Sequence, residues 1–117
     1  MDLDKAFERI EKVLEDVEEG NYRDYIGALD AWQSHLEENL SFPFEAEVYK
    51  ESNVGPLETG DEVRVIEVFN STNIYGIIAE LEKGKDNYQL PLCELEVEEG
   101  TPNYQFVKDY KIWFANY

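Results

Sequence analysis

The residue types that carry most enzyme chemistry are scarce in this chain. It has one histidine, His35, and one cysteine, Cys93. His35 stands beside no Cys or Ser in a nucleophile motif and reads as a helix-surface or partly buried side chain. Cys93 alternates with Leu95 and Val97 toward an apolar face, which predicts a buried small hydrophobe and not a reactive thiol. One Cys and one His cannot supply the four ligands of a usual zinc site, and a lone Cys forms no intrachain disulfide. No Gly-rich loop is spaced to cradle a phosphate, because Gly55-Pro56 and Gly84 are isolated turn residues. Paired carboxylates could act as acid and base. With 27 acids, however, any two can be paired, so that pattern has no specificity. The chain is expected not to be an enzyme.

What the chain has in abundance is carboxylate oxygen. Its 27 acids face 10 bases, for a formal net charge of −17. That excess excludes binding to a nucleic-acid backbone, which needs Lys and Arg to displace condensed cations. It also disfavours anionic membrane surfaces. It favours cations, basic proteins or simple solubility. Calcium is the cation that best matches these residue types, since it takes about 6–8 oxygen ligands from carboxylates, carbonyls and water. No window has the Asp-x-[Asp/Asn]-x-[Asp/Asn]-Gly spacing of an EF-hand loop. Asp86-Asn87 and Asp61-Glu62 are only fragments of it. A site must therefore be assembled from separate segments.

Two segments present acids at a period of two. Glu45 and Glu47 alternate with Phe44, Ala46 and Val48, and Glu94, Glu96 and Glu98 alternate with Cys93, Leu95 and Val97. In a strand each set shares one side, where like charges repel and favour a cation between them. The same pattern also describes the solvent faces of two ordinary strands. Glu80 and Glu82 form a third, weaker pair.

The elements that would hold these acids follow from the apolar spacing. Leu3, Phe7, Ile10, Val13, Leu14 and Val17 predict an amphipathic helix over 3–18, and Tyr25, Leu29, Trp32, Leu36 and Leu40 predict a second to residue 39. After Pro43 the period becomes two. Strands are predicted at Phe44–Tyr49, Val63–Val68 (Val63, Val65 and Glu67 on one side), Ile74–Leu81, Asn87–Leu90 and Leu92–Val97, with turns between. Thr101 and Pro102 suit the cap and first position of a last helix carrying Phe106, Val107, Tyr110, Trp113 and Phe114. The fold class is α+β. The strands, with Gly60-Asp61-x-Val-x-Val and Pro91-Leu92-x-x-Leu95, resemble a small SH3-like barrel of about five strands. The expected organisation is a single domain over 1–117, with a helical hairpin (1–41), the barrel (42–99) and a C-terminal helix (101–115). No apolar stretch reaches the ~20 residues that span a bilayer, and the N-terminus lacks a basic signal-peptide region. A cytoplasmic protein is expected.

Several of these motifs occur together in one known family. They are Phe42-Pro43-Phe44-Glu45-Ala46-Glu47-Val48 after a Trp-containing helix, Gly60-Asp61-x-Val, Tyr75-Gly76-Ile77, Pro91-Leu92-x-x-Leu95-Glu96, Asn103-Tyr104-Gln105, Asp109-Tyr110 and Trp113-Phe114-Ala115-Asn116. In this order, over residues 30 to 117, the chain resembles the CcbP-type calcium-binding proteins first recognised in cyanobacteria. The resemblance implies a small acidic protein that binds Ca2+ without an EF-hand and acts as a buffer or in signalling. The acids within the matching motifs are Glu45, Glu47, Asp61, Glu94, Glu96 and Asp109. Asp61 thereby joins Glu45, Glu47, Glu94, Glu96 and Glu98 as the candidate metal set. The alternative is an acidic, SH3-like interaction module that binds a basic protein partner or mimics nucleic acid.

Overall fold

The computed structural model describes residues 3–15, 23–49, 57–70 and 75–116. Helix α1 (Leu3–Val13) and helix α2 (Arg23–Asn39) precede strands β1 (Phe44–Val48), β2 (Glu62–Asn70), β3 (Ile77–Lys83) and β4 (Asp86–Pro91). A 3-10 turn (Leu92–Glu94), the two-residue strand β5 (Leu95–Glu96) and helix α3 (Tyr104–Asn116) complete the order. Every pairing is antiparallel, and the sheet runs β4-β3-β2-β1-β5. The strands β1 to β4 thus form a meander, and β5 returns to the free side of β1.

The predicted SH3-like barrel does not close. Its two end strands, β4 and β5, share no ladder. The segment predicted as a strand from Leu92 coils instead into the 3-10 turn, leaving β5 too short to seal a cylinder. Helices cover the apolar face that closure would have buried. Trp32 and Leu36 of α2 and Val107 and Tyr110 of α3 pack there with Ala46, Val63, Val65, Leu81 and Leu95 in one core. Trp32 lies 5.5 Å from Tyr110 and 5.9 Å from Trp113, ring to ring, so aromatic contacts join the two helices.

Helix α1 buries Ala6 and Ile10 and is tied to α3 by an ion pair. Arg9 donates from Nε and Nη2 to the two carboxylate oxygens of Asp109, at 2.7 and 3.1 Å, and Gln105 Nε2 donates to the same carboxylate at 2.8 Å. Asp109 is buried, and these bonds compensate its lost hydration. Phe7, placed in the apolar stripe by its spacing, is 43% exposed, because Ala6 and Ile10 supply the buried side. Val17 and the end of the predicted first helix lie outside the described residues, as does Ile74 at the predicted start of the third strand.

Two further details depart from simple periodicity. The register of β2 against β3 shifts between Val65 and Glu67, a β-bulge that brings Val68 to the core side in place of Glu67. Helix α3 begins at Tyr104, not at Pro102. Asn103 is occupied in clamping Ser41, accepting from its N–H and donating to its carbonyl, both at 2.9 Å. Thr101 Oγ1 donates to the Glu98 carbonyl, so it closes a turn instead of capping the helix.

The seam between sheet and α3 is tight at Gly76. Its φ is +67°, and a Cβ there would run into the Tyr110 hydroxyl and the Phe114 ring. The Tyr110 hydroxyl accepts the Ile77 N–H at 2.9 Å, and burial pushes that phenol well above its usual range. Gly76→Ala should therefore destabilise the fold by about 2 kcal/mol or more, through both backbone strain and overpacking, as measured by chemical denaturation.

His35 packs edge-on against Trp32 and Phe106. Burial lowers its pKa below the ordinary 6.5, outweighing the attraction of Asp109 and Glu38 for the imidazolium. The folded chain therefore binds fewer protons than the unfolded chain just below that pH. The contribution to stability is intact above 6.5 and is lost as pH falls through 6.5 toward the depressed folded value. Thermal melts at stepped pH should show this fall, and His35→Gln should flatten it.

Candidate metal centre

The period of two in β1 sends Ala46 and Val48 into the core and Glu45 and Glu47 to the opposite face. Register then fixes what lies beside each glutamate. Glu47 is directly opposite Glu62 on β2 and Glu96 on β5. Three carboxylates therefore form one row, Glu62–Glu47–Glu96, across three adjacent strands. The next row is Glu45–Arg64–Glu82, in which Arg64 lies 3.5 Å from Glu45 and 3.9 Å from Glu82. Beyond the bulge, Glu67 faces Glu80.

These rows differ in charge. The Arg64 row alternates in sign, so its ion pairs offset its repulsion. In the first row, among the described residues, neither Glu47 nor Glu62 has a basic partner. Directly opposed like charges on a sheet are destabilising, and a cation is the species that reverses that sign. Above this row lies an open depression of about 650 Å³ lined by Glu45, Ala46, Glu47, Glu62, Glu96, Val97 and Glu98.

Four of the six sequence-predicted residues, Glu45, Glu47, Glu96 and Glu98, thus share one depression. Asp61 and Glu94 stand outside it. Asp61 shapes the turn before β2, accepting the Glu58 N–H on Oδ2 at 3.0 Å, and it pairs with Lys83 at 3.1 Å. Both interactions, the Glu58 bond first, hold its pKa below the ordinary value. Glu94 sits in the 3-10 turn, where the alternation predicted for residues 93–98 has not yet begun. Its carbonyl accepts the Tyr49 N–H at 2.8 Å.

Two residues enter the site that spacing alone did not single out. Glu62 alternates outward with Arg64, which the sequence shows, but its position beside Glu47 needs the β1–β2 register. Lys111 of α3 reaches the far end of the row, with Nζ 3.0 Å from Glu96 Oε1 and 2.8 Å from the Leu95 carbonyl.

The donor set is all oxygen, from exposed or half-exposed glutamates, which suits a hard cation such as calcium and no soft metal. The ligands are not assembled in advance. Among the described residues, no three His, Cys, Asp or Glu side chains already form a group able to hold a metal ion. Glutamates at the surface can rotate toward an arriving ion, at a cost in side-chain entropy.

The solved structure of Anabaena CcbP superposes with a TM-score of 0.74 at 21% identity, covering 96% of this chain and 90% of that one. A second structure, of a calcium-binding protein in its calcium-binding form, gives a TM-score of 0.71 at 21% identity, covering 97% and 91%. At that identity the likeness establishes a shared fold. No curated protein matches the chain. Among the described residues, no helix is long and apolar enough to cross a membrane. The profile of the CcbP calcium-binding family, described as calcium binding, matches residues 9–114, and so takes in the helical region before residue 30 as well as the motifs after it. With that match spanning nearly all of its length, the chain belongs to the CcbP family of calcium-binding proteins.

Proposed function

We propose that this protein binds calcium on the outer face of its sheet and serves as a calcium buffer or signalling module. The observation that carries this reading is the Glu62–Glu47–Glu96 row, three like charges set side by side by backbone register. Glu47 and Glu62 are the central ligands, and Glu45, Glu96 and Glu98 complete the set from the same depression. Water fills the remaining positions of the ion's shell. A shallow, solvent-exposed site of this kind should bind with a dissociation constant of about 10⁻⁶ to 10⁻⁴ M, within the range of calcium modules.

A second reading rests on the same acids. A neighbouring cleft of about 360 Å³, lined by Pro43, Phe44, Val97 and Pro102, shares Glu45 and Glu98 with the depression. An apolar floor with an acidic rim suits a basic protein segment. A partner retained stoichiometrically in the presence of a calcium chelator would favour that reading.

Calorimetric titration with calcium, in ~0.15 M KCl where exposed charges are screened, tests the first reading. Millimolar magnesium should be present. Saturable heat at a small whole-number ratio is expected. Glu47→Gln with Glu62→Gln should weaken binding by about tenfold or more, equivalent to at least ~1.4 kcal/mol. Glu11→Gln with Glu15→Gln, on and beside α1, should change it by less than about twofold if binding is local and not a diffuse counter-ion effect. Equal losses in the two pairs would remove the case for a site.

The same row predicts opposite effects with and without the ion. Glu47→Gln should raise the melting temperature of the calcium-free protein, because it relieves repulsion on both sides. It should also shrink the rise in melting temperature that calcium produces, which depends on affinity for the folded state. Differential scanning calorimetry with calcium and with chelator checks both.

A further inference from the structure

The end of the acidic row already holds a cation, and it belongs to the protein. Lys111 Nζ donates to the Leu95 carbonyl at 2.8 Å and to Glu96 Oε1 at 3.0 Å, and it lies 5.2 Å from the centre of the Tyr49 ring. A backbone carbonyl and a carboxylate are the oxygen types that calcium also takes, and a ring face attracts positive charge. The Lys111 side chain is only 17% exposed, while that of Glu96 is 45% exposed. The ammonium is therefore the more enclosed member of the pair, and the carboxylate the one with open solvent to turn into. Glu96 is shared between two neighbours of opposite effect, with Lys111 attracting it and Glu47 repelling it along the row.

From this geometry we infer that Lys111 is a tethered competitor for the metal site, and that it sets the site's calcium affinity by engaging the Glu96 carboxylate at the end of the Glu62–Glu47–Glu96 row. The inference rests on the calcium reading above and names the residue that tunes it. An arriving divalent ion draws Glu96 toward Glu47, and in doing so takes it from Lys111. The ammonium keeps the Leu95 carbonyl and the Tyr49 ring but loses the Glu96 carboxylate, so its contact with solvent rises. Two consequences follow. The lysine's positive charge opposes the ion directly, and the ion pair must break for Glu96 to serve. Both weaken calcium binding, and removing the charge removes both.

The test titrates wild type, Lys111→Met, Lys111→Arg and Lys85→Met with calcium by calorimetry. Lys85→Met deletes the same charge from the β3–β4 turn, away from the row. Lys111→Met should bind about three- to tenfold tighter than wild type, the range expected for one unit charge a few ångströms from a divalent ion in screened solvent. Lys111→Arg and Lys85→Met should stay within about twofold of wild type. A second readout uses the unmodified chain. The rate of acylation of Lys111 by an amine-reactive ester, followed by peptide mass spectrometry, should rise on adding calcium, while that of Lys85 should not. Weaker or unchanged binding by Lys111→Met would overturn the inference and mark Lys111 as a support that positions Glu96. Lys111 acylation that falls or stays level with calcium would overturn it equally. Absence of saturable calcium binding in every chain would remove the calcium reading and this inference together. Equal, saturable affinities across all four would remove this inference alone.

Discussion

The arrangement of this molecule depends on the antiparallel register of β1 between β2 and β5. A strand alternates its side chains, so the register that places Ala46 against Val63 and Val48 against Leu95 also places Glu47 between Glu62 and Glu96. A slip of one residue would turn Ala46 and Val48 to water and drive glutamates under Trp32. Burial of the apolar side fixes the register, and the register then sets these three glutamates side by side on the other. The core thus stabilises an acidic surface that would not form by itself.

The molecule separates its layers by task. One face of the sheet is closed by α2 and α3, with Gly76 and the Tyr110 hydroxyl marking how closely helix and strand approach. The other face carries the glutamates around Arg64, with Asn87 and Gln89 beside Glu82 and Glu80 on its β4 side. Ion pairs occur where they hold elements together, as between Arg9 and Asp109, or where they balance a row, as at Arg64. Lys111 does some of each. It links α3 to β5 through a backbone carbonyl and also places a positive charge at the margin of the acids.

Much of this was legible in the residues. The switch from helical spacing to alternation after Pro43, the apolar stripe of α2 and the outward glutamates of β1 all follow from period alone, and the structure has them. The unreadable parts share a cause, which is contact between residues far apart in sequence. Alternation predicts Leu92–Val97 as one strand, yet Leu92–Glu94 coils, and with that Glu94 leaves the acidic face. The bulge after Val65 cannot be seen in a pattern that fits either phase at Ile66. Pro102 suits a helix start, but Asn103 is committed to Ser41, more than sixty positions away. Glu62 stands one residue before the predicted strand, and only pairing makes it a neighbour of Glu47. Lys111 carries no signal in its own segment at all, because its partners lie on β5.

The aromatic cluster between α2 and α3 has an optical consequence. The chain's two tryptophans, Trp32 and Trp113, sit 5.9 Å apart within it, both buried and both on the helical side of the sheet. Their emission therefore monitors the helical layer, which meets the glutamates only across the sheet and, among the described residues, through Lys111 on α3. An ion that does nothing but settle on the outer face leaves that emission unchanged, whereas a conformational signal passed through the sheet must alter it. The protein in this way carries its own spectroscopic distinction between storing an ion and transmitting its arrival.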